Sequence, residues 1–532
     1  MSVTVPIIEW AGLIPVLIIL GAGVLGVLVE AFAPRGGRLQ VQAVLSAVAI
    51  LASGTAFVLR WSQVLPQDAG TGRIRPSGRV LAAGISEDPF GVAAQGIVLL
   101  IGLLAVLIMA DRTTAGDGAF AAQAADRPGS AEETESLHRG WTATEVFPLM
   151  LFSLAGMMLF PMVNDLIALF VVLELVSLPL YIMAATARHR RLLSQEAALK
   201  YFVLGAFASA FLLLGSAFLY GLSGSVSYTR VADALAVGGA IDVIDMDWLG
   251  LAGVVLVTVG LLFKTAAVPF HAWSPDVYQG APTPVTGFMA AGVKAAAFLA
   301  LVRFYYLIAG AMGWDLAPAL WAVAALTMLL GTVVGVVQRD VKRMLAYSAI
   351  AHAGFMLIGI GAYSKAAISA LSFYALTYGI ATVGAFGIVT LVRSHRDGSV
   401  GGEDGDLDAF KGLGRRSPWA AGAMTVFLLS FAGVPLTAGF MAKFRLFATG
   451  LSGNGTPFVI LAVVCSAVTA FFYMRLIVFM FFHEPDGERS VVVGSRGPII
   501  LAVSVAVMAT IGLGILPQTA FDLFDQTAML LP

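Results

Sequence analysis

The amino-acid sequence predicts an all-α polytopic membrane protein with fourteen transmembrane helices, and three observations carry this prediction. Hydrophobic residues make up 59% of the 532 residues and charged residues only 12%, whereas soluble domains hold about 25% charged residues. Fourteen apolar segments reach the roughly twenty residues that a helix needs to cross a bilayer. Two of the longer segments are interrupted by proline and glycine, so helices 7 and 12 are predicted to be broken.

The predicted spans follow one another with mostly short connections. They cover residues 7–30, 39–60, 89–110, 145–161, 164–187, 194–221, 248–278, 283–309, 316–338, 341–362, 366–392, 418–449, 456–482 and 497–517. The longest polar connections are 61–88, 111–143, 222–247 and 393–417. The second of these is rich in glycine, alanine and glutamate, a composition that favours a loop.

Two groups of five spans share one pattern. In helices 4–8 and again in helices 9–13, the fourth helix is long and interrupted, first at Pro269 and then at Pro435 and Gly439. Because five is odd, the two groups must cross the membrane in opposite senses, which is the inverted-repeat arrangement of secondary transporters. The predicted regions are 1–143 with helices 1–3, 144–310 and 311–484 with the two repeats, and 485–532 with helix 14.

Lysine and arginine are concentrated in the odd-numbered loops, for example in ARHRR (187–191), RDVKR (339–343) and the stretch 411–416. Cytoplasmic loops of membrane proteins carry an excess of these residues. We therefore expect a multi-pass membrane protein with both termini on the outer side. The arginines of the 61–88 loop run against this trend.

The composition excludes several classes of function for this chain alone. A net charge of −1 argues against nucleic acid as a partner. The single cysteine, Cys465, cannot hold an iron–sulfur cluster, and no CxxCH haem-attachment motif is present. The phosphate-binding motif GxxxxGK[ST] does not occur, and no GxGxxG lies in a soluble βαβ context. We therefore expect no cofactor and no metal in this chain.

The stretch from Lys264 to Lys294, KTAAVPFHAWSPDVYQGAPTPVTGFMAAGVK, combines charge with helix breaks inside an apolar sequence. Pro269 interrupts helix 7, and such breaks occur in lipid only where protein or trapped water satisfies the freed carbonyl groups. A lysine at bilayer depth costs about 2.5–3.5 kcal/mol, so it usually faces a bundle interior or a wet cavity. Both lysines are predicted to belong to an ion or proton site. For Lys264 the alternative is a side chain that extends to the membrane surface.

Two further charged residues are candidates for the same site. Glu174 lies in the middle of helix 5, where an unpaired carboxylate is costly, so we expect it within salt-bridge or one-water reach of Lys264 in at least one state. A purely structural ion pair is the alternative. Lys443 follows the break of helix 12, whereas Lys264 precedes the break of helix 7.

The remaining candidates are two histidines and one lysine. His271 and His352 can each accept and donate a proton near neutral pH, although a hydrogen-bonded core histidine is the alternative for both. Lys200 follows Glu196 by four residues, so it forms either a helix-surface ion pair or part of a proton path. Three arginines are expected to anchor helix ends or packing faces rather than to take part in transport: Arg303, Arg445 and Arg475.

Three stretches of the sequence resemble one family, the antiporter-like proton-translocating subunits of respiratory complex I. They are KTAAVPFHAWSPDVYQGAPTPVTGFM (264–289), RDVKRMLAYSAIAHAGF (339–355) and SFAGVPLTAGFMAKF (430–444). The likeness spans about residues 80–520 and is greatest to the N-type members. Lys443 stands where M-type members carry glutamate, and we expect no long lateral helix of the L type after helix 14. The enlarged loops 61–88 and 111–143 depart from the family pattern.

The resemblance implies fourteen helices, two inverted five-helix repeats and a central polar axis that includes Glu174, Lys264, Lys294 and Lys443. It implies a translocase subunit in the membrane arm of an NADH-quinone oxidoreductase, which couples NADH oxidation and quinone reduction elsewhere in the complex to proton transfer. NADH, FMN, iron–sulfur clusters and quinone would then belong to other subunits. The implied partners are other membrane-arm subunits, including further antiporter-like subunits, and the lipid bilayer.

Two alternatives remain open from the sequence. The first is a subunit of a multi-subunit cation/proton antiporter of the Mrp type, which shares the lysines and the broken helices. The second is a structural module that has lost pumping and only links its neighbours. The complete set of buried charged residues argues against the second, since a scaffold gains nothing from buried charge.

Overall fold

The computed structural model describes residues 8–65, 78–82, 84–112, 118–123, 125–236, 247–396, 399–451, 455–484, 490–495 and 497–531. The predicted mostly helical membrane architecture is confirmed. Within these ranges, twelve helices are long and apolar enough to cross a membrane, and two shorter apolar helices cover Val146–Met162 and Pro418–Ala432. Parts of the connections 61–88, 111–143, 222–247 and 393–417 lie outside the described residues.

The described residues up to position 307 form twelve α-helices. They are α1 (Trp10–Phe32), α2 (Arg35–Val64), α3 (Pro89–Ala110), α4 (Ala131–His138), α5 (Val146–Leu159), α6 (Leu166–Ala184), α7 (Arg191–Ser223), α8 (Tyr228–Ala236), α9 (Asp247–Thr265), α10 (Trp273–Gly280), α11 (Thr283–Phe288) and α12 (Lys294–Leu307). A π-helical turn, Met289–Val293, joins α11 to α12. Short 3₁₀ turns follow α5 at Phe160–Met162 and α12 at Ala309–Met312.

From position 313 onwards the described part of the chain contains nine further α-helices. They are α13 (Gly313–Val336), α14 (Val341–Gly361), α15 (Lys365–Leu391), α16 (Leu413–Arg416), α17 (Pro418–Ala432), α18 (Ala438–Gly450), α19 (Thr456–Phe482), α20 (Pro498–Ile515) and α21 (Gln518–Thr527). A 3₁₀ turn at Leu407–Phe410 precedes α16.

The described residues also include five short strands, which the all-α prediction did not contain. Strands β1 (Arg79–Ala82) and β2 (Ile85–Glu87) pair antiparallel before α3. Strands β3 (Val392–Arg396), β4 (Ser399–Glu403) and β5 (Ser490–Val492) form an antiparallel sheet in the order β4-β3-β5. These strands lie in connections between helices, so their backbone groups pair across segments that hydropathy alone treats as loops.

Short polar residues start several of the membrane helices. The carboxylate of Asp165 accepts hydrogen bonds from the first-turn amides of α6, and Asp340 and Ser364 do the same for α14 and α15. The first amide groups of a helix have no partner within the helix, so a side-chain oxygen supplies one. Each cap fixes the point where the chain enters its apolar segment.

The helices that carry the candidate residues lie at the centre of the bundle. The most apolar stretch of the span Thr283–Leu307 is 100% buried, and the corresponding stretches of α15 and α14 are 94% and 89% buried. Those of α2, α19 and α20 are only about one third buried, so they face lipid or neighbouring chains. Glycines allow close packing: a Cβ on Gly354 of α14 would meet the backbone nitrogen of Met328 at 2.7 Å. Lys294 therefore lies in the most enclosed helix of this region.

Two consecutive acidic residues form buried ion pairs at one end of the bundle. Glu87 pairs with Arg60 of α2, and Asp88 pairs with Arg303 of α12 at 2.7 Å. Side chains alternate along extended backbone, so neighbours in sequence can bind different helices. This short segment thus ties α2, α3 and α12 together.

Arg303 lies one turn before the end of α12, and its side chain packs inside the bundle. Its side chain is only 1% exposed, and it donates to the carbonyl oxygens of Pro161 at 2.5 Å and Leu531 at 3.4 Å, besides Asp88. The amide of Leu531 donates to Asp88 at 2.9 Å, so the C-terminal residues close over the pair. The sequence analysis missed this contact because Asp88 and Arg303 lie 215 residues apart.

Removing one partner of the buried Asp88–Arg303 pair leaves an uncompensated charge, which costs about 3–5 kcal/mol. We expect Arg303→Met to lower the thermal unfolding midpoint of the chain in detergent. Asp88→Asn with Arg303→Met should lose less stability than the two single changes added together. Arg415→Met, at an exposed position, is the control. A fully additive double variant would contradict the assigned pairing.

Candidate functional site

The first helix break separates α9 from α10. The chain leaves α9 after Thr265, passes Ala266 in the left-handed region (φ 58°) and a cis peptide before Pro269, and re-enters a helix at Trp273. The indole nitrogen of Trp273 donates to the carbonyl oxygen of Phe263 at 2.9 Å. The amide of Val268 donates to the Thr327 hydroxyl of α13 at 3.0 Å. Side chains therefore satisfy backbone groups that the break frees.

The second break separates α17 from α18. Gly433 (φ 83°) ends α17, and Lys443 of α18 reaches back across the break. Its ammonium nitrogen donates to the carbonyl oxygens of Phe431 at 2.7 Å and Ala432 at 3.1 Å, and to the hydroxyl of Ser466 at 2.8 Å. A cation is favourable at a helix C-terminus because the last carbonyl groups carry partial negative charge. The carbonyl groups at the end of α17 thus bind the Lys443 ammonium.

Lys264 is buried among tyrosines rather than beside the expected carboxylate. Its ammonium donates to the Tyr181 hydroxyl at 3.3 Å and lies 5.6 Å from the ring centre of Tyr201. Glu174 accepts a hydrogen bond from Ser209 of α7 instead. The ion pairs among the described residues do not include Glu174 with Lys264, and contact through one water or in another state stays a prediction. Tyr181, two turns after Glu174 on α6, occupies the position next to the ammonium.

Lys294 begins α12 directly after the π-helical turn. Its side chain is 2% exposed, and its ammonium donates to the carbonyl oxygen of Ala349 on α14 at 2.5 Å. It also lies 5.9 Å from the ring centre of Tyr378 on α15. The lysine therefore bridges three central helices.

His352 lies between Lys294 and Lys443. Its Nδ1 is 2.7 Å from the hydroxyl of Tyr374, and its Nε2 is 3.4 Å from that of Tyr473. Its ring centre is 5.0 Å from that of Tyr378, which also contacts Lys294, and 5.7 Å from that of Phe431, whose carbonyl binds Lys443. We call the following five residues the central row: Lys294, Tyr378, His352, Phe431 and Lys443.

The other two candidates lie outside the central row. His271 is half-buried at the first break, and its Nδ1 has no hydrogen-bond partner in the described part of the chain. Lys200 pairs at 2.8 Å with both Glu196 and Asp276, and Asp276 pairs with Arg343 of α14 at 2.7 Å. The surface ion pair predicted for Lys200 is therefore present and extends into a network that joins α7, α10 and α14.

Comparison with known sequences identifies the family. The sequence model described as "NADH:quinone oxidoreductase/Mrp antiporter, TM" matches residues 163–470, which include both breaks and the central row. The chain belongs to this family. It is 48% identical over 99% of its length to NADH-quinone oxidoreductase subunit N of Rhodococcus opacus, covering 97% of that protein. It is 49% identical to the subunit N of Beutenbergia cavernae, covering 99% of both chains.

Solved structures of family members share the fold. A chain of respiratory complex I from Thermus thermophilus with bound aureothin matches with a TM-score of 0.73 and 31% identity, covering 96% of this chain and 98% of the other. A chain of the Mrp complex from Dietzia sp. matches with a TM-score of 0.77 at 20% identity, covering 98% and 97%. The second likeness concerns the fold alone.

The sequence analysis missed the buried tyrosines that contact the candidate lysines and histidine. Tyr374 and Tyr378 lie one helical turn apart on α15, a spacing that places both on one helix face. That spacing was a usable signal, whereas Tyr181 and Tyr473 gave none, because their partners come from distant helices.

The second break leaves little room for a side chain at Gly433. A Cβ there would meet the Cδ of Lys443 at 3.0 Å, and the positive φ costs about 1–2 kcal/mol for other residues. We expect Gly433→Ala to lower the thermal unfolding midpoint of the detergent-solubilised chain. Gly422→Ala, in the same helix with open space around its Cβ, is the control. Equal midpoints for the two variants would contradict the assigned strain.

Proposed function

We propose that the chain is a proton-translocating membrane-arm subunit of an NADH-quinone oxidoreductase. The observation that carries this proposal is the central row, in which ring contacts place His352 between two buried lysines. Lys294 and His352 lie on two of the most enclosed spans. The names of the N-subunit relatives agree with it. Among the described residues, no cluster of three or more potential metal ligands occurs. The proposal assigns NADH, FMN, iron–sulfur clusters and quinone to other subunits.

The proposed chemistry moves protons between neutral and charged forms of buried side chains. An amine or an imidazole can bind and release a proton, and buried hydroxyl groups can bridge between them. Lys264, in contact with Tyr181, would be the first proton-binding group of the route. The negative charge of the Glu174 carboxylate would raise the proton affinity of Lys264. The central row would form the second part of the route, from Lys294 through His352 to Lys443.

The region between Lys264 and the central row suits transfer through water. The hydroxyl group of Tyr201 is buried without a hydrogen-bond partner in the described structure, and that of Ser274 is buried beside the Tyr278 hydroxyl. Tyr201 stacks on Trp273 with ring centres 4.6 Å apart, next to the first break. A bound water needs two to four polar partners, and these hydroxyl groups would supply them. His271, at the same break, is proposed to exchange protons with this water. Lys200 is proposed to take part in the proton path from its outer side.

The driving force must come from outside the chain. Moving one charge against 100 mV costs about 2.3 kcal/mol, and the proposal contains no redox reaction within this subunit. Energy would therefore arrive from partner subunits through a change at one end of the polar axis. Other membrane-arm subunits, further antiporter-like ones included, are the proposed partners.

The proposal includes the finer architecture of the family. The two shorter apolar helices α5 and α17 would complete fourteen membrane crossings, with α18 continuing α17 across the second break. The two interrupted helices would then occupy the fourth place in each of two inverted five-helix repeats. The proposed regions remain 1–143, 144–310, 311–484 and 485–532.

Lys294 provides the sharpest test of the proton route. Lys294→Ala should abolish most proton translocation while assembly is retained, because the surrounding helix tolerates a small residue. Lys294→Arg should also impair it, because a guanidinium with a pKa above about 12 does not release its proton. The measurement is NADH-driven acidification of vesicles at matched amounts of assembled complex.

The matched control for Lys294 is Lys365→Arg, at an exposed position at the start of α15. A normal proton yield in Lys294→Arg would show that position 294 supplies charge only, and the relay would be refuted. Sodium efflux that needs no NADH would instead favour an antiporter of the Mrp type.

The proposed orientation places both termini on the outer side of a bacterial plasma membrane. Starting from Cys465→Ala, Asp233→Cys on α8 should react with a membrane-impermeant maleimide in intact cells. Glu135→Cys on α4 should react only after the membrane is opened, because its loop is predicted to be cytoplasmic. The unaltered chain, whose cysteine is buried, is the control. The reverse labelling pattern would overturn the orientation.

A further inference from the structure

A pocket of about 420 Å³ lies where several helices end at one surface of the bundle. The end of α1, the start of α2, the end of α3 and the start of α20 meet there, with the segment 139–145 closing the side. Its charged lining comprises four guanidinium groups and two carboxylates: Arg35, Arg38, Arg112, Arg139, Glu30 and Glu145. The pocket is therefore an electropositive site that the proton route does not use.

Trp141 organises the arginines of this pocket. The guanidinium carbon of Arg35 lies 3.9 Å from the Trp141 ring centre, and that of Arg139 lies 5.2 Å from it. Stacking on an aromatic ring holds a guanidinium in place and leaves its N–H groups free to bind an anion. The two arginines are thus positioned before any ligand binds.

The charge balance leaves one of these arginines without a carboxylate. Arg38 pairs with Glu30 at 3.0 Å, and Arg139 pairs with Glu135. Arg35 contacts the Trp141 ring and has no carboxylate partner among the described residues. Arg35 is therefore a guanidinium group of the pocket that no carboxylate of the described residues binds directly.

The first turn of α2 adds a second attraction for an anion. α2 begins at Arg35, and no side chain caps its N-terminus. Gly36 lines the pocket, and nothing lies within 4 Å of where its Cβ would be. Uncapped first-turn amides and the helix dipole favour negative charge at this point.

The wall formed by the 111–143 connection is firmly attached to the helical bundle. The amide of Ala143 donates to the carbonyl oxygen of Ala121 at 2.7 Å, and the amide of Ala121 donates to that of Thr186 at 2.8 Å. Arg188 donates to the carbonyl oxygen of Trp141 at 3.4 Å. The enlarged loop that the sequence left without a purpose thus builds one side of the pocket.

Exposed apolar side chains around the pocket favour a lipid over a soluble anion as its ligand. The helices that end at the pocket expose large apolar side chains within two turns of it: Leu28, Phe32, Val41, Val44, Ile500 and Leu501. In a membrane these side chains contact acyl chains. Basic pockets between membrane helices favour anionic headgroups, and arginine forms bidentate hydrogen bonds with phosphate oxygens.

We propose that this arginine pocket binds the phosphate group of an anionic phospholipid, with the headgroup over Trp141 and the acyl chains along α1, α2 and α20. The site would hold a lipid between α1, α2, α3 and α20. The residues that line it are distant in sequence from the central row. The enlarged 111–143 connection would then serve as a lipid-binding element.

The test uses the assembled complex in lipid nanodiscs that contain a photoreactive phosphatidylglycerol. Labelled peptides are mapped by mass spectrometry, and the wild type should be labelled within 30–40 and 139–145. Arg35→Ala and Arg139→Ala should each reduce this labelling about fivefold, since one arginine near an anionic lipid contributes about 1 kcal/mol. The double variant Lys411→Ala/Arg415→Ala, which removes two positive charges elsewhere, should label like the wild type.

A second variant tests the site without removing an arginine. Gly36→Asp places a carboxylate in open space at the first turn of α2, where an acidic residue stabilises a helix. It should displace the lipid phosphate while the fold is retained, so labelling should be lost at a normal unfolding midpoint.

Competition distinguishes the sources of the phosphate. Unlabelled phosphatidylglycerol should suppress labelling, whereas phosphatidylcholine and millimolar inorganic phosphate should not. Suppression by inorganic phosphate would replace the lipid with a free anion and overturn the proposal. Unchanged labelling in the arginine and Gly36 variants, or equal suppression by phosphatidylcholine, would overturn it as well.

Discussion

The requirement that every buried backbone polar group find a partner governs this structure. In lipid there is no water to bond a freed carbonyl, so a broken helix persists only where side chains replace the lost bonds. At the first break Trp273 and Thr327 supply them, and at the second Lys443 does so. The same constraint that permits the breaks thus brings polar side chains to the middle of the bundle.

Close helix packing then determines which polar groups meet. Glycine in α14 lets α13 approach to backbone contact, and the lysine-bearing α12 is enclosed between α14 and α15. Lys294 consequently has no route to the membrane surface and binds the Ala349 carbonyl oxygen across the helix interface. A lysine in a more exposed helix could extend to the surface, as Lys200 does in its ion-pair network.

Sequence reasoning was most accurate where local physics decides the outcome. The predicted span 89–110 coincides with α3, and 456–482 coincides with α19, because apolar length and end caps are local properties. The partners of the lysines depend on which helices meet, which hydropathy does not encode. Charge alone indicated Glu174 as the partner of Lys264, whereas the direct contact of the ammonium, the Tyr181 hydroxyl, carries no charge that the sequence could indicate. The Asp88–Arg303 pair and the short strands were missed for the same reason.

Five of the buried cations fall into two chemical groups. Arg60 and Arg303 each bind a carboxylate at one end of the bundle, and neither partner can become neutral without leaving an unpaired charge. Lys264, Lys294 and Lys443 instead donate to hydroxyl or carbonyl oxygens, which are neutral. A lysine with neutral partners can lose its proton without exposing a buried carboxylate. The division therefore assigns fixed charge to the arginines, which hold the helices, and exchangeable charge to the lysines of the proposed route.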